Sequence, residues 1–271
     1  MSNASGPIGV IAGVVSLARR ERIVLTAASL AYFSFISVVP LLILLVVAVS
    51  EFGGHALAMG VVSRATHALA AEHADLLGKI VFSAANRQQA TVIGVVVLLW
   101  GALLTFRALS TAFASVYDTH GERSLVSTVM DVVLVFVVIV SVTVAIVVLG
   151  VALSLFVDIH LWKTLGPFVL CSVLVAVFFP LFYILPDVDI RVTEALPGTV
   201  FAAAAWTVLQ SLFGYYVALS GVTRFYGAAS AFLLILVWLY VGGFVLLLGA
   251  ALNAVLSGRV EPDTGWLPVD T

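Results

Sequence analysis

From Tyr226 to Leu256 the chain reads YGAASAFLLILVWLYVGGFVLLLGAALNAVL, without one Asp, Glu, Lys, Arg or His. At about 1.5 Å per residue, a helix of this stretch exceeds a bilayer's hydrocarbon core of roughly 30 Å, so it reads as a transmembrane helix with room to tilt. Further stretches of the same character precede it. Hydrophobic residues make up 63% of the chain and charged ones 10%, against about 45–50% and 25% in a soluble domain. A soluble fold of this length could not cover that much apolar surface, and an all-α polytopic membrane helix bundle is expected. The net charge of −2 comes with scattered Arg and Lys, which form no concentrated basic face. No nucleic-acid partner is expected. Cys171 is the only cysteine; lying in an apolar run, it reads as a small buried hydrophobe.

In chain order, residues 1–22 form an N-terminal segment that ends in Arg19, Arg20 and Arg22. Its apolar part, Ile8 to Leu17, is too short to cross a bilayer and is expected to lie in the interface. The first long apolar stretch follows the arginines and is too long for a signal-peptide core. Six spans are expected, at about residues 24–50, 91–106, 125–157, 166–185, 195–219 and 227–256, within a transmembrane domain of residues 23–257 followed by a polar tail at 258–271. Between the first two spans, residues 52–89 are mixed, with Val62, Ala65, Leu69, Leu76, Ile80 and Ala84 at helical spacing. One or two amphipathic helices resting on the membrane face are expected there. His67 and His73 fall on different faces of such a helix and no HExxH spacing occurs, so with Glu72 they read as a solvated face, and no metal site or cofactor is assigned.

Six spans place both termini on one side of the membrane, and the arginines before the first span put that side in the cytoplasm. Arg107, Arg123, Arg191 and Arg259 then fall inside as well, while Arg64, Lys79, Arg87, Lys163 and Arg224 fall outside. The plasma (inner) membrane is the expected location.

Polar and kink-forming residues inside apolar spans are the candidates for function. Ser34, Ser37 and Pro40 on the first span, with Trp206 and Gln210 on the fifth, are read as lining an intramembrane cavity; the alternative is ordinary glue between packed helices. Arg107 is expected at the membrane surface, because a mid-bilayer Arg costs several kcal/mol. Asp131, in the first turns of the third span, is expected to pair with Arg107 or Arg123.

Several short motifs occur together: LAYFSFISVVP in the first span, LPG at Leu196 to Gly198, the Tyr226-Gly227 pair, Trp238-Leu239-Tyr240, and GAALNA at Gly249 to Ala254. As a set, across nearly the whole chain, they resemble the YihY/BrkB family of membrane proteins. That resemblance implies a multi-spanning inner or plasma membrane protein of a family formerly mislabelled ribonuclease BN. Many members have Glu where this chain has Ala251, so a proton-coupling or ion-pairing role for that carboxylate does not carry over.

Three function classes follow. A ribonuclease needs carboxylates clustered around metal ions or a His pair beside a phosphate-binding surface. Here the acids sit in separate turns, and Asp187 with Asp189 reads as an interfacial turn. No catalytic residue is assigned. A transporter or lipid translocase with an intramembrane cavity is the preferred reading, with membrane lipids as surroundings and a lipid or small amphipathic molecule as substrate. The alternative is a non-catalytic assembly or structural protein that docks through residues 52–89. The sequence leaves the oligomeric state open.

Overall fold

A computed structural model of the chain describes residues 6–52, 84–119, 133, 137, 159–186, 188–220 and 222–259. The described residues are helical, with no strand among them. Six helices are defined: α1 (Pro7–Arg20), α2 (Ile23–Phe52), α3 (Ala84–Val116), α4 (Ile159–Ile184), α5 (Val192–Ser220) and α6 (Val222–Leu256). In hydrocarbon every backbone N–H and C=O must be satisfied internally, which long helices achieve whatever their content of β-branched residues.

Among the described residues three helices are long and apolar enough to cross a membrane: Thr91–Val116 of α3, Val192–Phe213 of α5 and Phe232–Leu256 of α6. A fourth crossing is reached when α1 and Ile23–Val38 of α2 are taken together, although the chain bends by 63° between them. The bend falls at Glu21 and Arg22, where Arg22 adopts φ 50°. In α4 the apolar part, Phe168–Ile184, is shorter. The expected third span at 125–157 lies outside the described residues, apart from 133 and 137, and so does most of the expected amphipathic segment.

Helix α3 begins at Ala84, inside the stretch read as amphipathic, because Asn86 to Gln89 are polar but include no Gly or Pro to end a helix. It also runs past Arg107 to Val116 without interruption. α1 is a separate short helix with two faces: Ala12, Gly13 and Leu17 are buried, while Ile8 and Ile11 are exposed.

The chain divides into two compact units, one of residues 1–27, 107–212 and 242–271, the other of residues 28–106 and 213–241. In the first, each helix contributes one face at i, i+3, i+4, i+7 spacing: Leu109, Ala112, Phe113 and Val116 of α3, Phe178, Leu181, Phe182 and Leu185 at the end of α4, and Leu247, Ala250, Ala251 and Ala254 of α6. α5 presents Ala195, Thr199, Ala202 and Ala203. Large residues from α3 and α4 therefore meet small ones from α5 and α6. Phe113 and Phe182 pack edge to face at 5.5 Å, and Phe178 meets Trp206 in the same manner. Lipid tails are as apolar as these side chains, so close fit and interhelical hydrogen bonds hold such a core together.

In the second unit α2 and α3 run antiparallel. A Cβ on Gly101 would strike Ser37 Oγ, and one on Gly94 would rest 3.5 Å from Leu44. Phe35 and Phe232 pack edge to face at 5.9 Å. On α3, Val92, Ile93, Val96, Leu99 and Trp100 are exposed; they form the apolar face that such a helix turns to lipid.

Candidate functional site

The polar groups of the first unit gather where α3 and α6 end and α5 begins. Asn253 organises this region. Its Nδ2 donates to the Ala195 carbonyl at 2.9 Å, and its Oδ1 accepts the Gly198 N–H at 2.6 Å. Thr199 Oγ1 donates to the same Ala195 carbonyl at 2.7 Å. Pro197 explains why a partner from another helix is useful here. It has no N–H to give the Thr193 carbonyl, and its ring crowds that turn. Asn253, 1% exposed, adds hydrogen bonds from a neighbouring helix to the same turn, at the Ala195 carbonyl and the Gly198 N–H.

The same crossing needs two glycines. A Cβ on Gly198 would collide with the Gly249 carbonyl oxygen and come within 2.7 Å of the Asn253 side chain. A Cβ on Gly249 would lie 2.7 Å from the Gly198 carbonyl and 2.9 Å from Phe182 Cζ. The two backbones touch, and Phe182 of α4 seals the contact. Further along the same antiparallel pair the Trp206 ring covers Gly242, leaving no room for a side chain there.

At the ends of the helices, α3 and α6 close alike. Thr119 N–H bonds the Ala114 carbonyl at 2.8 Å and Arg259 N–H bonds that of Ala254 at 3.2 Å, with Asp118 (φ 54°) and Gly258 (φ 66°) in the left-handed region between. Both are helix C-caps of the Schellman kind. The cap on α6 turns Arg259 back towards the start of α5, where its Nη2 donates to the Asp189 carbonyl at 2.6 Å and to Glu194 Oε2 at 3.2 Å. Thr119 Oγ1 reaches the Pro186 carbonyl at 3.4 Å.

Tyr117 lies among these groups, 5% exposed. Burial pushes its phenol well above the ordinary tyrosine value, Asn253 and Arg259 pull it the other way, and Glu194 adds to the rise. It is a neutral donor. Its hydroxyl lies beside the Asn253 side chain, close enough to be stabilised by it, but outside hydrogen-bond geometry. Ser110 Oγ, on the same face of α3, is likewise buried without a partner.

The residues singled out from the sequence belong to both units. Ser34, Ser37 and Pro40 belong to the second unit, and Trp206, Gln210 and Arg107 to the first. Ser37 donates to the Phe33 carbonyl at 3.3 Å and packs against Gly101. Pro40 is buried within an unbroken α2, and Ser34 is half-buried. Trp206 is a packing wedge between Phe178 and Gly242, whereas Gln210 and Arg107 are exposed. Asp131 lies outside the described residues. Asn253, Tyr117 and Ser110 were not singled out. The signal for Asn253 was available, because it is the only Asn or Gln in the uncharged run from Tyr226 to Leu256.

The family described as Virulence factor BrkB matches residues 14–267. The chain belongs to this family. It is 26% identical to the ribonuclease-like protein YfkH of Bacillus subtilis over 88% of this chain and 91% of that protein. It is 30% identical to a UPF0761 membrane protein of Aromatoleum aromaticum over 87% of this chain, and 26% identical to one of Xanthomonas campestris over 92%. The match spans 60% and 61% of the length of these two UPF0761 proteins. No solved structure matches the chain. In this BrkB-family protein, LPG and GAALNA, far apart in sequence, are the two halves of one helix crossing.

Proposed function

We propose that this membrane protein is a six-span transporter or translocase of the plasma membrane, with both ends in the cytoplasm, and that it moves a poorly charged or amphipathic molecule such as a lipid. The observation that carries the reading is the chemistry of the buried polar residues among the described residues. Ser110, Thr199 and Asn253 are all uncharged. Such groups offer hydrogen bonds to a substrate and no counter-charge, and an ion in a low-dielectric interior needs a counter-charge or a full coordination shell.

The test is reconstitution of purified protein into liposomes carrying a fluorescent phospholipid in one leaflet and neutral small solutes inside. Accelerated movement of either over empty liposomes supports the reading. Movement of neither overturns it and favours an assembly protein that docks through residues 52–89.

A further inference from the structure

In this chain a hydroxyl on an apolar helix ordinarily satisfies itself. Ser37, Thr105, Ser172, Thr199, Thr207 and Ser211 each donate to the carbonyl four residues back, at 3.3, 2.8, 2.9, 2.7, 2.8 and 3.0 Å. That bond is open to any serine or threonine in a helix and is the usual fate of such residues in membranes. Ser110 does not make it. Its Oγ is buried and unpartnered, and so is Tyr117 Oη. The two residues lie seven positions apart, two turns along one face of α3, with about 10 Å between them along the axis.

Two orphan hydroxyls on one face are unfavourable, since each has given up its hydrogen bonds to water and gained none in the fold. Tyr117 lies at the end of the span, close enough to Arg259 and Glu194 to feel their charge. Those two side chains are partly exposed, at 32% and 25%. Asn253 beside Tyr117 uses one N–H and one lone pair of its amide in the two bonds described, and an amide has one more of each. Along the line from Arg259 and Glu194 through Asn253 and Tyr117 to Ser110, the guanidinium donates, the carboxylate accepts, and the amide and the two hydroxyls can do both, so each can bond a small molecule that both donates and accepts.

We propose that water enters the first unit from the Arg259–Glu194 end and hydrogen-bonds Tyr117 and Ser110, so that α3 carries a hydrated face inward from the membrane surface. Water is the ligand of the right size and chemistry: it donates and accepts, and buried water typically bridges two to four polar groups. The inference stands independently of whether the protein moves lipid.

Two measurements on the full chain in membranes test it. In the first, Ser110→Cys is made in a Cys171→Ala background and its S–H infrared band is followed after transfer to D2O, with Val208→Cys on the exposed face of α5 as the lipid-facing comparison. Conversion of S–H to S–D at least ten-fold faster at position 110 is expected; an equal or slower rate overturns the proposal. The second needs no substitution. Hydroxyl radicals made by radiolysis of water oxidise side chains beside bound water, so Tyr117 is expected to be modified despite its burial. An unmodified Tyr117 overturns the proposal.

Discussion

Asn253 holds Gly198 across a helix crossing, accepting its N–H at 2.6 Å while donating to Ala195 on the same turn. One side chain thus serves both a donor and an acceptor beside Pro197. Asn253→Leu is expected to destabilise the protein by about 2–3 kcal/mol, because it strands the Gly198 N–H in an apolar core and removes one donor from the Ala195 carbonyl. Asn253→Asp should be no better. It keeps the acceptor, turns the donor into a second carboxylate oxygen facing a carbonyl, and buries a charge. Thermal unfolding in mild detergent checks both, and an unchanged midpoint for either variant counts against the clamp.

The contact between Gly198 and Gly249 separates glycines that are required from glycines that are not. Gly198→Ala and Gly249→Ala each place a methyl group against backbone and are expected to cost about 1–3 kcal/mol as overpacking. At Gly94 the added methyl meets Leu44 at 3.5 Å, an ordinary contact. Gly94→Ala should leave stability unchanged or raise it by up to about 1 kcal/mol through better helix propensity. Unfolding midpoints that rank Gly94→Ala with the other two would refute this account of the crossing.

The helical class and several spans were legible from the long uncharged runs, because hydrocarbon leaves the backbone few alternatives. Inward faces were not. A helix apolar all round carries no amphipathic stripe to mark which side packs, and the faces here are told apart by size instead: Ala250, Ala251 and Ala254 inward on α6, Leu233 and Val237 outward. Asn253 stood out as an amide in an uncharged helix, but its partner lies at the other end of a helix pair and could not be read from spacing. Ser37 and Trp206 read in sequence either as lining a cavity or as glue between packed helices, and each fits against a glycine. A polar or aromatic residue in a span looks the same in sequence whether it lines a cavity or fills a notch.

The Arg259 latch is expected to be weak. Its pair with Glu194 is part-exposed at 32% and 25%, so Glu194→Gln should cost under about 1 kcal/mol and the loss should shrink at high salt. Arg259→Ala should cost more, since it also removes the bond to the Asp189 carbonyl. Unfolding at low and high salt distinguishes the two contributions; equal losses from both variants would mean that the carbonyl bond contributes nothing.

Arg107 is exposed on a helix that continues to Val116, and we propose Asp131 as its partner at the cytoplasmic edge. Arg107→Leu and Asp131→Asn should then each lower the unfolding midpoint, and the double variant should recover much of the loss. If Asp131 gates transport instead, Asp131→Asn keeps its stability and loses transport. Unchanged stability in both single variants removes the ion pair.

Substitutions at Gly101 distinguish a packing role for Ser37 from a place in a cavity. A methyl group on Gly101 would collide with Ser37 Oγ but lie 3.4 Å from Ser37 Cβ, so the hydroxyl is the obstacle. Gly101→Ala alone is expected to cost about 1–3 kcal/mol as overpacking. Ser37→Ala alone should cost little, because the hydroxyl's bond among the described residues is a long 3.3 Å one to its own helix, and such back-bonding contributes little to helix stability. Combined, the two should recover most of the stability, since alanine at position 37 leaves room for the new methyl. That non-additivity is the signature of direct contact. A double variant as unstable as the sum of the singles would show that Gly101 is required by backbone and not by Ser37. If Ser37 lines a substrate path, Ser37→Ala also reduces transport at unchanged stability, and measuring both on one preparation separates packing from substrate contact.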